Sequence, residues 1–155
     1  MKNTIKVTGT VHIKVTDRYG NIKIDKDLGK NIITTVGKAA IAGLVGNTGS
    51  VSAFTYLAVG TSSTAVAVGD TTLTAEVTDS GLERASATVS RVTTTVTNDT
   101  IQLAKTWTAT AAKTIEECGA LNASSSGVLL GHKLTGSVAL TITDTLTITY
   151  QIAFS

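Results

Sequence analysis

The chain has no proline, one cysteine and very few aromatic residues, which make up 4% of it. Without proline, its turns fall to Gly, Asn and Asp, and 14 glycines are available for them. The lone Cys118 excludes an internal disulfide framework, and with only two histidines no Cys/His ligand set exists for zinc. Charge is also scarce. Charged residues are 15% of the chain, the net charge is +2, and the 13 basic residues are scattered rather than clustered. That balance argues against a nucleic-acid or anionic-membrane partner. No apolar run approaches the ~20 residues needed to cross a bilayer, and the first residues alternate instead of forming a signal core. The expectation is a soluble protein made in a cytosol, with no metal and no cofactor.

What the chain has in quantity is threonine, 30 of 155 residues, a bias that suits pleated, half-buried strands. Residues 4–15 alternate, with Ile5, Val7, Val11, Ile13 and Val15 on one face; Gly9 interrupts them as a candidate bulge. Residues 17–21 read as a turn, and residues 22–28 as the returning arm of a hairpin. The period then changes. Thr34 or Thr35 caps a helix to Gly46 whose Val36, Ala39, Ala40, Gly43 and Leu44 share a face. Residues 54–59 form a buried strand that stops at Gly60. Asp70 is expected to cap a short helical turn with Leu73 and Val77 facing inward. Residues 82–96, 100–110, 114–121 and 128–134 read as strands separated by Asn-Asp and Ser/Gly turns. The clearest strand is the last, with Leu146, Ile148, Tyr150, Ile152 and Phe154 on one side. The fold class is therefore mainly β: an antiparallel β-sandwich with an N-terminal hairpin and one short packed helix. Residues 1–155 form one domain, divided into a hairpin and arm (1–30), a helix (34–46) and the main sheets (54–155).

No residue pattern points to catalysis. Cys118 and His132 lie on strands joined by the turn at residues 124–127, but a nucleophile also needs an orienting group and an oxyanion site, and neither is evident. Cys118 is read as a structural thiol. Adjacent residues Glu116 and Glu117 face opposite sides of a strand and cannot act as a carboxylate pair. Glu117 is expected to pair with Arg84 or Arg91. Asp17, Asn21, Asp25 and Asp27 lack the spacing of a calcium loop and read as a solvated hairpin. Residues 60–64 lack the lysine of a phosphate loop, and Trp107 is expected in the core.

The order and wording of these elements resemble a family of small virion proteins of tailed bacteriophages. The resemblance rests on Val15, Asp17, Gly20 and Asn21, then Asn31, Ile32, Ile33, Thr34 and Gly37, then Tyr56-Leu57-Ala58-Val59-Gly60-Thr61. It continues through Asp70, Thr71, Leu73 and Glu76, and Arg84. Ile115, Glu117, Gly119 and Leu121-Asn122-Ala123-Ser124 follow, then Gly127 with Leu129-Leu130. It closes on Asp144 and Leu146-Thr147-Ile148-Thr149-Tyr150, so nearly the whole chain is covered. Cys118 and Ala120 depart from the usual small or apolar residues of their block. The resemblance implies a non-enzymatic structural component of the virion, with two roles open. One is a capsid decoration (cement) protein bound to the major capsid protein of the head. The other is a tail-fibre or baseplate module bound to tail proteins. It further implies a homo-oligomer, with a trimer expected. The segment Lys2, Asn3, Thr4, Ile5 and Lys6 is the arm expected to reach a neighbour by strand addition.

Overall fold

The computed structural model describes residues 4–155. In chain order the elements are β1 (Val7–Thr16), β2 (Ile22–Lys30), β3 (Ile32–Ile33), α1 (Thr35–Gly46), β4 (Tyr56–Gly60) and β5 (Ala85–Ser86). They continue with β6 (Thr88–Val92), β7 (Thr100–Thr108), β8 (Lys113–Leu121), β9 (Leu129–Leu140) and β10 (Thr145–Phe154). The strands make two antiparallel five-stranded sheets, β2-β1-β10-β7-β6 and β3-β9-β8-β4-β5. The expected β-sandwich with one helix is the observed architecture.

Strand alternation builds the core. In the first sheet, Val11, Ile13 and Val15 of β1, Leu103 and Trp107 of β7, and Leu146, Ile148, Tyr150 and Ile152 of β10 all turn inward and are buried. From the second sheet come Leu57, Val59, Ile115, Cys118, Ala120, Leu130, Val138 and Leu140. Trp107 is a core residue, as expected, and its indole N–H donates to the Glu83 carbonyl at 2.8 Å. The register from β1 through β10 and β7 to β6 is continuous, running Val11–Tyr150–Leu103–Val89 across the middle and Thr8–Ala153–Thr100–Val92 near one end.

Several expectations are corrected by the packing. Gly9 is not a bulge, since β1 pairs with β10 straight through it. It is needed because a β-carbon there would come within 2.6 Å of the Asn31 side chain. The irregularities of β1 lie instead against β2, at Val11/His12 and Val15/Thr16. Residues 82–96 are not one strand: β5 joins the second sheet and β6 the first, so the chain crosses between layers at Ala87. β9 runs on to Leu140, past the expected stop at Leu134. No helical turn follows Asp70. Residues 61–84 instead run as an irregular excursion over the outer face of the second sheet, tied by a bridge between Gly60 and Glu76. Leu73 and Val77 do turn inward, Leu73 onto an outer cluster with Ala58, Leu121 and Leu129, and Val77 into the main core.

Thr34 caps α1, as the sequence indicates. Its hydroxyl accepts from the Gly37 N–H at 2.9 Å and donates to the Leu129 carbonyl at 2.5 Å, so one side chain both starts the helix and fastens it to β9. Asn47 closes the helix in the left-handed conformation. The buried face is narrower than the expected stripe, with Gly37 and Ala40 buried and Ala39 exposed. Gly37 rests directly on the β9 backbone, where a β-carbon would lie 2.8 Å from the Leu130 Cα. Helix propensity alone would make Gly37→Ala stabilising by about 1 kcal/mol. Overpacking against an immobile strand costs about 1–3 kcal/mol and outweighs it. Urea denaturation of Gly37→Ala is expected to show a lower midpoint at unchanged m-value; a raised midpoint would mean that α1 moves freely off β9.

Candidate interaction surface

The two ends of the sandwich differ in what they expose. At one end, β1 continues backward into the residues Thr4, Ile5 and Lys6, all exposed. Lys6 and Ser155 exchange backbone hydrogen bonds of 2.6 and 3.0 Å, which prolong the β1–β10 ladder by one pair. Ile5 keeps the phase of the inward residues Val7, Val11 and Ile13, yet it is 78% exposed because no second-sheet strand covers it. Of the arm expected from the sequence to bind a partner, Lys2 and Asn3 lie outside the described residues.

At the same end a groove of about 310 Å³ opens between the C-terminal half of α1 and the first sheet. Its walls include Ile41, Leu44, Val45, Phe54, Val89 and Phe154, and nearly all are apolar. Val45 on its rim is 85% exposed. The opposite end carries the β1–β2 turn beside the β9–β10 turn. Asp17 organises the first by accepting from the backbone N–H groups of Tyr19 and Asn21 at 2.8 and 2.9 Å, and from the Asn21 side chain. Tyr19 stands 72% exposed with the Arg18 guanidinium 4.6 Å from its ring centre, and Ile22 and Ile142 are exposed nearby. Asp25 pairs with His12 at 2.8 Å and Asp27 accepts from the Gly29 N–H at 2.7 Å, so neither is arranged for a cation. Among the described residues no group of acidic, His or Cys side chains could hold a metal ion.

The most concentrated chemistry is buried between the excursion and the second sheet. His132 on β9 places Nδ1 2.7 Å from Asp70 Oδ2 and Nε2 2.7 Å from Glu117 Oε2. Glu117, fully buried, also accepts from the backbone N–H groups of Thr74 and Ala75 at 3.1 and 2.7 Å. Two nitrogens facing two carboxyl oxygens require two protons among the three groups: both on the ring, or one on the ring and one on a carboxyl. Among the described residues no serine or cysteine side chain hydrogen-bonds to this cluster. Its partners make it a clasp that holds residues 70–75 against β8 and β9.

The expected pairing of Glu117 with Arg84 or Arg91 is corrected here, while Cys118 is the structural thiol expected, apart from His132. Arg84 takes Glu76 in a bidentate pair at 2.7 and 2.5 Å and caps the Ala123 and Ser126 carbonyls; Arg91 is exposed on β6. Cys118 faces the main core, whereas His132 faces outward with Glu117. The register sets this, since His132 lies opposite Gly119 and Cys118 opposite Lys133; farther along, from Ile115 to Glu117, the partner steps from Val138 to Leu134. β9 advances four residues there while β8 advances two, and β8 changes face across the irregular segment, so Ile115 and Cys118 share a face three residues apart. Burial pushes the Cys118 thiol up to about 12, which suits an inert structural residue. The clasp was legible only in fragments, since residues 70, 117 and 132 carry no spacing signal.

Comparison with known proteins finds no match: no family model, no curated protein and no solved structure.

Truncating Glu117 to Ala would leave His132 Nε2 and the two backbone amides buried without their carboxyl partner. A loss of about 3–5 kcal/mol is expected, measured by chemical denaturation; an effect below ~1 kcal/mol, the scale of an exposed ion pair, would show that the clasp is open in solution. The carboxylates give a second test. Burial pushes Asp70 and Asp144 upward, but both are held below the ordinary carboxylate range. Asp70 is held by the Ala67 N–H and His132, Asp144 by Lys23 and Thr141. A depressed folded-state pKa contributes stability above the unfolded value, near pH 4, that is lost as pH falls through the folded value. Stability is therefore expected to decline below about pH 4, and Asp144→Asn to lower it at pH 7 while flattening that decline. Equal slopes for the two proteins in acid would contradict the assignment.

Proposed function

We propose that this protein is a non-enzymatic structural component of a tailed-bacteriophage virion, and that it decorates the capsid. It binds the outer surface of the assembled head through the major capsid protein. What carries the reading is the ordered set of sequence motifs that resembles this family along nearly the whole chain. The motif residues lie at joints of the scaffold. Asn31 reaches the Tyr150 hydroxyl, Thr34 and Gly37 seat α1 on β9, and Gly60 and Gly119 make room for the clasp. Arg84 ties the excursion to the β8–β9 turn, and Asp144 pairs with Lys23 and Thr141. The resemblance is thus to a building plan, and the work such a plan does is adhesive.

In this reading the exposed arm at Thr4, Ile5 and Lys6 extends to a neighbouring subunit by strand addition. Because the protein binds only the assembled lattice, it stabilises the particle by mass action against expansion. A trimer around a local symmetry axis is the assembly proposed for it on the head. A tail-fibre or baseplate role is the second reading, favoured by the exposed Tyr19 with its stacked Arg18, the residue types that dominate recognition surfaces.

Copy number per virion decides between them. Quantitative mass spectrometry against the major capsid protein is expected to give one copy per capsid subunit or a simple fraction of that. A count far below the number of capsid subunits would move the protein to the tail, and its absence from purified particles would overturn both readings.

A further inference from the structure

The four edge strands of the sandwich are not equally protected. β3 and β5 are two residues long. β2 is long but carries Lys23, Asp25, Lys26, Asp27 and Lys30, has two register irregularities against β1, and contains Gly29 in the left-handed region. Those are the devices that stop an edge from pairing. β6 has almost none of them. Its residues, Thr88-Val89-Ser90-Arg91-Val92, are β-branched or small apart from one arginine, and they pair with β7 in unbroken register. None of the five makes a backbone hydrogen bond on the outer side among the described residues. Beside this edge Val89, 42% exposed, forms one wall of the apolar groove whose opposite rim is Val45.

We propose that β6 pairs antiparallel with β6 of a second copy of this chain across a two-fold axis at Ser90. The occupant follows from the chemistry of the edge. Unpaired backbone N–H and C=O groups call for an extended strand, and this strand complements itself. Centred on Ser90, Thr88 meets the partner's Val92 and Val89 meets the partner's Arg91, so no like charges lie directly opposite. The inner-face residues Val89 of both copies then lie on one continuous ten-stranded sheet, and the contact extends onto the exposed α1 rim at Leu44 and Val45. A two-fold contact of this kind closes on itself and leaves the arm and the hairpin tip free. A five-residue strand is only ~17 Å long, which places the contact among small interfaces with dissociation constants in the micromolar range. The inference stands on the edge geometry and does not depend on the virion reading.

The test is covalent capture of the pair. Residues directly opposite on antiparallel strands hold their α-carbons ~4.5–5.5 Å apart, within disulfide reach. Ser90→Cys is therefore expected to give a covalent dimer under mild oxidation, seen by non-reducing electrophoresis and by mass. Buried Cys118 stays out of the reaction. Val89→Lys, which places a charge on the edge, is expected to weaken the wild-type dimer at least tenfold by light scattering with an unchanged circular dichroism spectrum. Ile22→Lys on β2 is expected to leave it intact. A wild-type protein that remains monomeric at ~100 µM, above the expected dissociation range, would overturn the proposal. So would a dimer that Ser90→Cys does not trap, or one that Ile22→Lys weakens as much as Val89→Lys does.

Discussion

Glu117 is the residue on which the less regular half of the molecule depends. A fully buried carboxyl group must be compensated on the spot, and here the compensation comes from three places: the His132 ring and the backbone amides of Thr74 and Ala75. Two of those donors belong to the excursion of residues 61–84, which has no helix and is tied to the sheets by one bridge and scattered hydrogen bonds. The clasp therefore fixes where the excursion lies. It also covers the outer cluster of Ala58, Leu73, Leu121 and Leu129, which would otherwise be an apolar patch on the outside of the second sheet.

The glycines around the clasp show how closely it is fitted. A β-carbon on Gly60 would come within 2.7 Å of the Ala75 carbonyl oxygen, and one on Gly119 within 3.0 Å of the Leu73 side chain. Both positions must be bare for the excursion to reach the sheet. Arg84 completes the attachment at the far end by joining Glu76 to the β8–β9 turn. The sandwich thus has a regular first sheet held by alternation and a second sheet held partly by polar contacts on its outer face.

Much of this was legible in the chain. The β10 alternation named its own core residues, Thr34 announced α1, and Trp107 was placed in the core from its strand phase. The expectations that failed share one cause: the partner of a residue came from another segment. The pairing of Glu117 with an arginine placed it on the right face, but its partners, His132 and the amides of Thr74 and Ala75, come from segments far along the chain. The expected helical turn at Asp70 assumed that a capping residue serves its own segment, whereas Asp70 accepts from the Ala67 N–H and meets His132, 62 residues away. Gly9 read as a bulge because the reason for a glycine there, the side chain of Asn31, comes from the end of the neighbouring strand β2, where the Asn31 N–H donates to the Gly9 carbonyl.

By itself, then, the sequence determined the periods: which segments are strands, which is the helix, and which face of each is apolar. Period-2 and period-3.6 patterns are local, and burial of one face follows from them. Only the tertiary structure decided which polar groups meet. The His132–Glu117–Asp70 clasp, the Arg84 attachment and the bare outer edge of β6 depend on strand order, register and an irregularity between two strands. Those are properties of pairs of segments, set by how the whole chain closes its core, and no single stretch of residues encodes them.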